Sequence, residues 1–246
     1  MPAPTLYIAG HRGLPQDYPE NTLIGLEAAL AAGAHGVEID IQFTKDGEPV
    51  LLHDLTLKRV TGLSGDVSMF EFSVLGKMSA HEPARFGSRF LPTPIEALRS
   101  IVPLMRLYSQ ATLFVELKAE SFAHTHRQQA VTKLATVLAP IANQCVVISY
   151  DIAVLRLVRE LLDWPIGWVL SQYNDDILAQ AKECQPEYLI CHVAKLPPAP
   201  TALCLGLWQW FIYDITDAEV AKQLAARGVS WVESWDVTAL IKDLKI

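Results

Sequence analysis

The chain has 246 residues, of which 51% are hydrophobic and 19% charged. At about 150 residues per domain, this allows one large domain or two small ones; the apolar content suits a sizeable core and excludes collagen, coiled coil and disorder. Twenty Lys and Arg against 27 Asp and Glu give a net charge of −7 with no run of like charges, so the basic footprint of a nucleic-acid binder is missing.

In chain order, the first predicted strand is TLYIAG (residues 5–10), followed by an alanine-rich helix from about Asn21 to Ala32 with Gly33 as its C-cap. VEIDIQF (37–43) is the second strand. Asp46-Gly47 then marks a hairpin, and PVLLH (49–53) returns as an extra strand. Residues 54–92 hold scattered Gly, Ser, Phe and Met without a periodic element and read as an insertion. It ends at Thr93-Pro94-Ile95-Glu96, which has the pattern of a capping box opening a helix. From residue 110 onward, the apolar runs TLFVEL, CVVIS, PIGWVL, EYLIC, WFIY and VSWVE alternate with helical patterns over Thr125–Leu138, Ile152–Leu162, Asp175–Glu183 and Ala218–Arg227. Strand and helix repeated in this way imply a parallel sheet. Eight such strands in this length imply a (β/α)8 barrel occupying residues 1–246 as one domain, with 54–92 as a small cap after the second strand and its returning hairpin arm. An open doubly wound sheet is the competing fold, but no GxGxxG or Walker loop follows any strand.

Met1 to Gly10 lacks a basic n-region and a long apolar stretch, so no secretory signal is expected there. The uncharged stretches 134–150 and 196–213 contain prolines and amides, and neither reads as a spanning helix. Cys145, Cys184, Cys191 and Cys204 have no CxxC spacing and mostly apolar neighbours, as expected of reduced thiols in the cytoplasm.

Chemistry concentrates in the first four strands. Glu38 and Asp40 are two apart on a strand and share a face, the interior of a barrel. Glu116-Leu117-Lys118 adds a third carboxylate and an ammonium on the next barrel strand. At about 4 Å and an effective dielectric near 20, each like-charge pair costs on the order of 4 kcal/mol, so protons or a cation must intervene. An all-oxygen set suits Mg2+ or Ca2+; pairing with Lys118 and Arg12 as a structural ion network is the plainer alternative. A two-residue turn at Asp46-Gly47 sets Asp40 opposite His53, and a three-residue loop shifts the pairing by one; either returns His53 to the level of the carboxylates. His11-Arg12-Gly13 follows the first strand to the same mouth. His35, His81, His124 and His126 read as core or surface residues, and His192 ends a strand where it could line the mouth.

Together, His11-Arg12-Gly13, Pro19-Glu20-Asn21-Thr22, Glu38-Ile39-Asp40, Thr44-Lys45-Asp46-Gly47, His53-Asp54 and Glu116-Leu117-Lys118 resemble the glycerophosphodiester phosphodiesterase family in order and spacing. The resemblance implies a (β/α)8 barrel that uses a divalent metal to hydrolyse small-molecule glycerophosphodiesters to glycerol 3-phosphate and an alcohol. It implies Glu38, Asp40 and Glu116 as metal ligands, His11 and His53 as general acid and base, Arg12 and Lys118 on phosphate, Trp210 against substrate, and a cap that contacts the glycerol end. No nucleic-acid partner and no stable membrane insertion are expected. The late strands depart from the family pattern: Trp210-Phe211-Ile212-Tyr213 stands where Trp-Thr-Val-Asn is usual, and Glu233-Ser234-Trp235-Asp236 where a Thr-Asp pair is usual. Action on lysophospholipid or phosphoinositide head groups, and a non-catalytic phosphate-binding barrel, are the alternatives.

Overall fold

Short β-rich runs separated by amphipathic stretches can pair only in parallel, with the stretches packed outside as crossovers. The computed structural model describes residues 6–245 and shows that arrangement. Thr5 of the first expected strand, and the first half of the N-terminal stretch read for an export signal, lie outside the described residues. Strands β1 (Tyr7–Gly10), β2 (Gly36–Phe43), β4 (Thr112–Leu117), β5 (Cys145–Ser149), β6 (Ile166–Val169), β7 (Tyr188–His192), β8 (Gln209–Tyr213) and β9 (Val229–Ser234) form a parallel ring, closed by β1 between β9 and β2. Strand β3 (Pro49–Leu51) lies antiparallel on β2 outside the ring.

The crossover helices are α1 (Leu23–Ala31), α2 (Ile101–Leu107), α3 (Arg127–Leu138), α4 (Ile152–Leu162), α5 (Asp175–Cys184) and α6 (Ala218–Ala226), with α7 (Val237–Leu244) following β9. Side chains of Thr22, Asp151, Asn174, Asp217 and Asp236 accept from backbone N–H groups in the first turns of α1, α4, α5, α6 and α7. Between β7 and β8 a 3-10 turn, Val193–Lys195, and an extended loop replace the helix.

Alternation along the strands divides the core in two. Val37, Ile39, Ile41, Val115, Val147, Ile212 and Val232 face outward to the helices. Ala9, Phe114, Val146, Ile148, Val169, Ile190, Phe211 and Trp231 fill the barrel, with the Phe114 ring 4.8 Å from Phe211 and 5.1 Å from Trp231. That apolar plug leaves only the C-terminal end of the ring for polar side chains.

Two local expectations are resolved here. The hairpin takes the three-residue form: Gly47 at φ +75 closes it, and Phe43 pairs with Pro49, Gln42 with Val50 and Ile41 with Leu51. Asp40 therefore faces Leu52, whose N–H donates to the Asp40 carbonyl. The second expectation is corrected: Thr93-Pro94-Ile95-Glu96 opens no helix. Pro94 bridges to Ser79 and Ala97 to Val50, and the Glu96 carbonyl accepts from Leu51. These extended pairings take the backbone groups that a helix would use, so the helical turn waits until Leu98. Residues 54–92 form a cap of short helical turns with its own small core, in which Val50, Leu52, Leu57, Val60, Val67, Leu75, Ala80 and Ile95 are buried together.

Candidate active site

At the C-terminal mouth, a cavity of about 250 Å3 is walled by His11, Arg12, Glu38, His53, Glu116, Lys118, Tyr150, Tyr213, Asp214, Glu233 and Trp235. Depressions of about 460 Å3 beside Tyr7 and Trp231, and about 860 Å3 beside Phe43 and α3, are larger but hold no comparable acidic cluster.

The loop after β1 is built around a sharp turn. Arg12 sits at φ +55 and Gly13 at φ +95, where an added Cβ would come within 2.6 Å of the Gly25 carbonyl carbon. The turn aims the Arg12 backbone N–H at Glu38 Oε2 (3.1 Å), its Nε at Asp40 Oδ2 (3.0 Å) and its Nη1 at Glu20 Oε1 (3.2 Å). Asn21, also at positive φ, clasps Asp40 twice: its Nδ2 donates to Oδ2 (2.9 Å) and its Oδ1 accepts from the Asp40 backbone N–H (3.0 Å). From the end of β4, Lys118 Nζ reaches Asp40 Oδ1 (2.9 Å) and Glu116 Oε2 (3.1 Å).

Glu38, Asp40 and Glu116 each present an oxygen within 4.8 Å of the others. Burial alone would raise Asp40, yet Lys118 and Arg12 outweigh it and hold its carboxyl well below the usual range. Burial dominates at the other two. Glu38 is driven well above its ordinary value, reinforced by the charges of Asp40, Glu233 and Glu116; Glu116 is pushed up to about 7 by burial and Asp40, despite Lys118. Among the described residues, Oε1 of Glu38 is buried with no hydrogen-bond partner. A divalent cation fits this set: it would replace the protons that Glu38 and Glu116 otherwise hold and give the orphaned oxygen a partner.

The two histidines line the same cavity. His11 extends β1, its N–H donating to the Ser234 carbonyl, and its ring packs edge-on against Trp235 at 5.4 Å. Burial, with help from Arg12, lowers its pKa to about 3. His53 follows β3, its carbonyl accepting from Gln42 Nε2, and its Nδ1 lies 2.7 Å from Asp54 Oδ1.

Of the residues expected from sequence, His11, Arg12, Glu38, Asp40, His53, Glu116 and Lys118 meet here. Trp210 does not. It points out of the barrel, stacks on Tyr173 at 5.8 Å and donates from Nε1 to the Cys204 carbonyl, so its substrate role is withdrawn. His192 bonds Asp214 Oδ2 at 2.7 Å behind the wall, and His35 accepts from the Ile8 N–H at the opposite end of the barrel.

Sequence reasoning missed several members. Glu233 is a fourth carboxylate in the cavity, 3.9 Å from His11 Nε2; burial first, then Asp40 and Glu116, raise it well above its normal range against the pull of Arg12. Its position two residues after the inward-facing Trp231 was a readable signal. Tyr150 and Tyr213 join hydroxyls at 2.8 Å across the mouth, and Asp214 accepts from Trp235 Nε1 at 2.7 Å.

The fold and the mouth define a class: a (β/α)8 barrel carrying a carboxylate cluster and two histidines at the C-terminal ends of its strands. Within that class, residues 11–236 match the model of the glycerophosphoryl diester phosphodiesterase family, and the chain belongs to that family. Human glycerophosphodiester phosphodiesterase 1 is 34% identical over 151 residues, covering 61% of this chain and 44% of that protein. A glycerophosphodiester phosphodiesterase of Bacillus altitudinis is 33% identical over 124 residues, half of each chain. The chain thus spans about half the length of these curated relatives. Among solved structures, an Oleispira antarctica phosphodiesterase in complex with the product sn-glycerol-3-phosphate superposes with a TM-score of 0.84 at 21% identity over 98% of both chains. At that identity it shows the shared fold.

Proposed function

We propose that the protein hydrolyses water-soluble glycerophosphodiesters to glycerol 3-phosphate and an alcohol, with Mg2+ or Ca2+ held by Glu38, Asp40 and Glu116. The observation that carries this reading is one cavity that brings together three convergent carboxylates, one with a buried oxygen unpartnered among the described residues, and imidazoles from two separate loops. Family membership and the names of the relatives point to the same chemistry.

A phosphodiester is anionic and weakly electrophilic, so charge must be neutralised and the departing alkoxide protonated. The cation would supply Lewis-acid stabilisation of the phosphoryl oxygens. Arg12 and Lys118 bring fixed positive charge to the same oxygens and offset the acidic protein around them. His11, kept neutral by burial and the Arg12 guanidinium, takes the proton of the attacking oxygen, which is that of water or of the neighbouring glycerol hydroxyl. In the second case a cyclic phosphate forms, and water then opens it to glycerol 3-phosphate. His53, whose ring is hydrogen-bonded to the Asp54 carboxylate, holds a proton for the leaving oxygen. Asp54 thereby fixes the orientation of His53, and Trp235 that of His11.

Among the described residues, no helix is long and apolar enough to cross a membrane. The four free cysteines support placement in a reducing cytoplasm.

The test is release of glycerol 3-phosphate from glycerophosphocholine or glycerophosphoethanolamine. Release that EDTA abolishes and Mg2+ or Ca2+ restores is the expected result; no release with either metal would refute the reading.

A further inference from the structure

The two histidine loops are joined by a route that runs outside the carboxylate cluster, through the cap. Arg59, on the short helix Lys58–Thr61, donates from Nη1 and Nη2 to the two oxygens of Glu20 at 2.6 and 2.7 Å. The same guanidinium donates from Nε and Nη2 to the two oxygens of Asp54 at 2.7 and 3.0 Å. Beyond Glu20 lies Arg12 Nη1 at 3.2 Å, and beyond Asp54 lies His53 Nδ1 at 2.7 Å. An unbroken chain of charge-assisted contacts thus runs Arg12, Glu20, Arg59, Asp54, His53.

The cap also fixes the middle of that chain. The Glu20 backbone N–H donates to Glu82 Oε1 at 2.6 Å, Glu82 Oε2 accepts from Arg85, and Arg85 donates to the Pro15 carbonyl. The Glu20 side chain is only 3% exposed, and among the described residues its charge is met by Arg12 and Arg59. A planar fork can grip both oxygens of two carboxylates at once, which a lysine ammonium with three donors cannot do.

We propose that Arg59 is a positioning residue that orients Arg12 and His53 together, so that docking of the cap and assembly of the reactive pair are one event. This rests on the hydrolytic reading for the meaning of the two loops; the bridge itself is measurable without turnover. The charged groups around His53 are Asp54 on its own loop, Arg59 from the cap helix, Asp40 from β2, and Glu116, Lys118 and Glu120 from β4 and the turn after it. Arg59 divides the charge of Asp54 with the imidazole. Removing Arg59 leaves that carboxylate to His53 alone and favours the protonated ring; neutralising Asp54 does the reverse. Those shifts report the contact between Asp54 and Arg59, whereas a fall in kcat at little-changed KM reports positioning, which a purely structural Arg59 would not produce.

The experiment compares the Mg2+-loaded wild type with Arg59→Lys, Arg59→Gln and Asp54→Asn. It reads glycerol 3-phosphate release and, by NMR of 13C-labelled histidine, the titration of the His53 ring assigned with His53→Gln. In Arg59→Gln, kcat is expected to fall roughly tenfold to hundredfold, as for loss of an outer partner that orients a reactive group, with KM little changed. His53 should titrate at higher pH in Arg59→Gln and at lower pH in Asp54→Asn. Arg59→Lys should lie between wild type and Arg59→Gln in kcat. If Arg59→Gln does not fold, Arg59→Lys and Asp54→Asn carry the test. Wild-type kcat in Arg59→Lys with an unmoved His53 titration overturns the bridge even when hydrolysis is intact. Opposed titration shifts in a protein that releases no glycerol 3-phosphate would uphold the bridge and refute the hydrolytic reading instead.

Discussion

The two ends of the barrel interior are made from the same strands by the same alternation, yet they are opposite in chemistry. Toward the N-terminal end, Phe114, Phe211 and Trp231 pack ring against ring. Two residues further along β4 and β9, the inward positions become Glu116 and Glu233, which join Glu38 and Asp40 of β2, and buried atoms of Glu38 and His11 lack partners among the described residues. The apolar end supplies rigidity; the mouth holds charge that is unstable without a ligand. Substitutions at the mouth should therefore remove activity with little loss of fold, and those in the plug the reverse.

The sharpest break in this contrast comes from the histidines. His11→Ala and His53→Ala should each lower kcat by about 10²- to 10⁴-fold while Tm stays close to wild type. Retained turnover in either, measured as glycerol 3-phosphate release, removes that ring's role. Phe114→Ala should cost about 3–5 kcal/mol in denaturant unfolding through the cavity it leaves, although no atom of the cluster is touched. A loss near zero would mean that the plug does not hold the barrel.

Glu233→Gln probes the mouth from the stability side. The folded protein holds Glu233 above its ordinary range, so without metal it binds a proton that the unfolded chain releases, and stability falls as pH rises above the unfolded acid range near 4.5. The glutamine variant escapes that loss. In metal-free protein it should unfold like wild type at pH 4 and at higher denaturant than wild type at pH 8; the same difference at both values would contradict the buried acid. The smallest effect belongs to Trp210→Phe. It removes an indole that faces the helices, so KM should stay within about twofold of wild type, with a stability loss on the order of 1 kcal/mol for the missing hydrogen bond.

The sequence carries this architecture to different depths. Ile152–Leu162 is read correctly because a strong apolar stripe begins at Asp151, whose side chain caps it. Thr93–Glu96 misleads because a capping pattern is local, whereas Ser79 and Val50, which claim this backbone, are 15 and 47 residues away from their partners Pro94 and Ala97. Alternation along WFIY turns Phe211 inward and Trp210 outward; the family resemblance argues the other way, and the geometry sides with alternation. The metal-ligand candidates and both histidines are legible because period two and one hairpin suffice to gather them. Arg59 is not: nothing in an aperiodic segment tells that a guanidinium will meet a glutamate 39 residues earlier.

The most direct measurement is anomalous diffraction from crystals of the wild-type protein soaked in Mn2+, a stand-in for Mg2+ or Ca2+ in an oxygen site. A single strong peak at bonding distance, roughly 2.0–2.6 Å, from oxygens of Glu38, Asp40 and Glu116, with His11 and His53 on either side, is the expected result. A peak elsewhere, with Lys118 and Arg12 still neutralising all three acids, would contradict it and make the cluster a structural ion network.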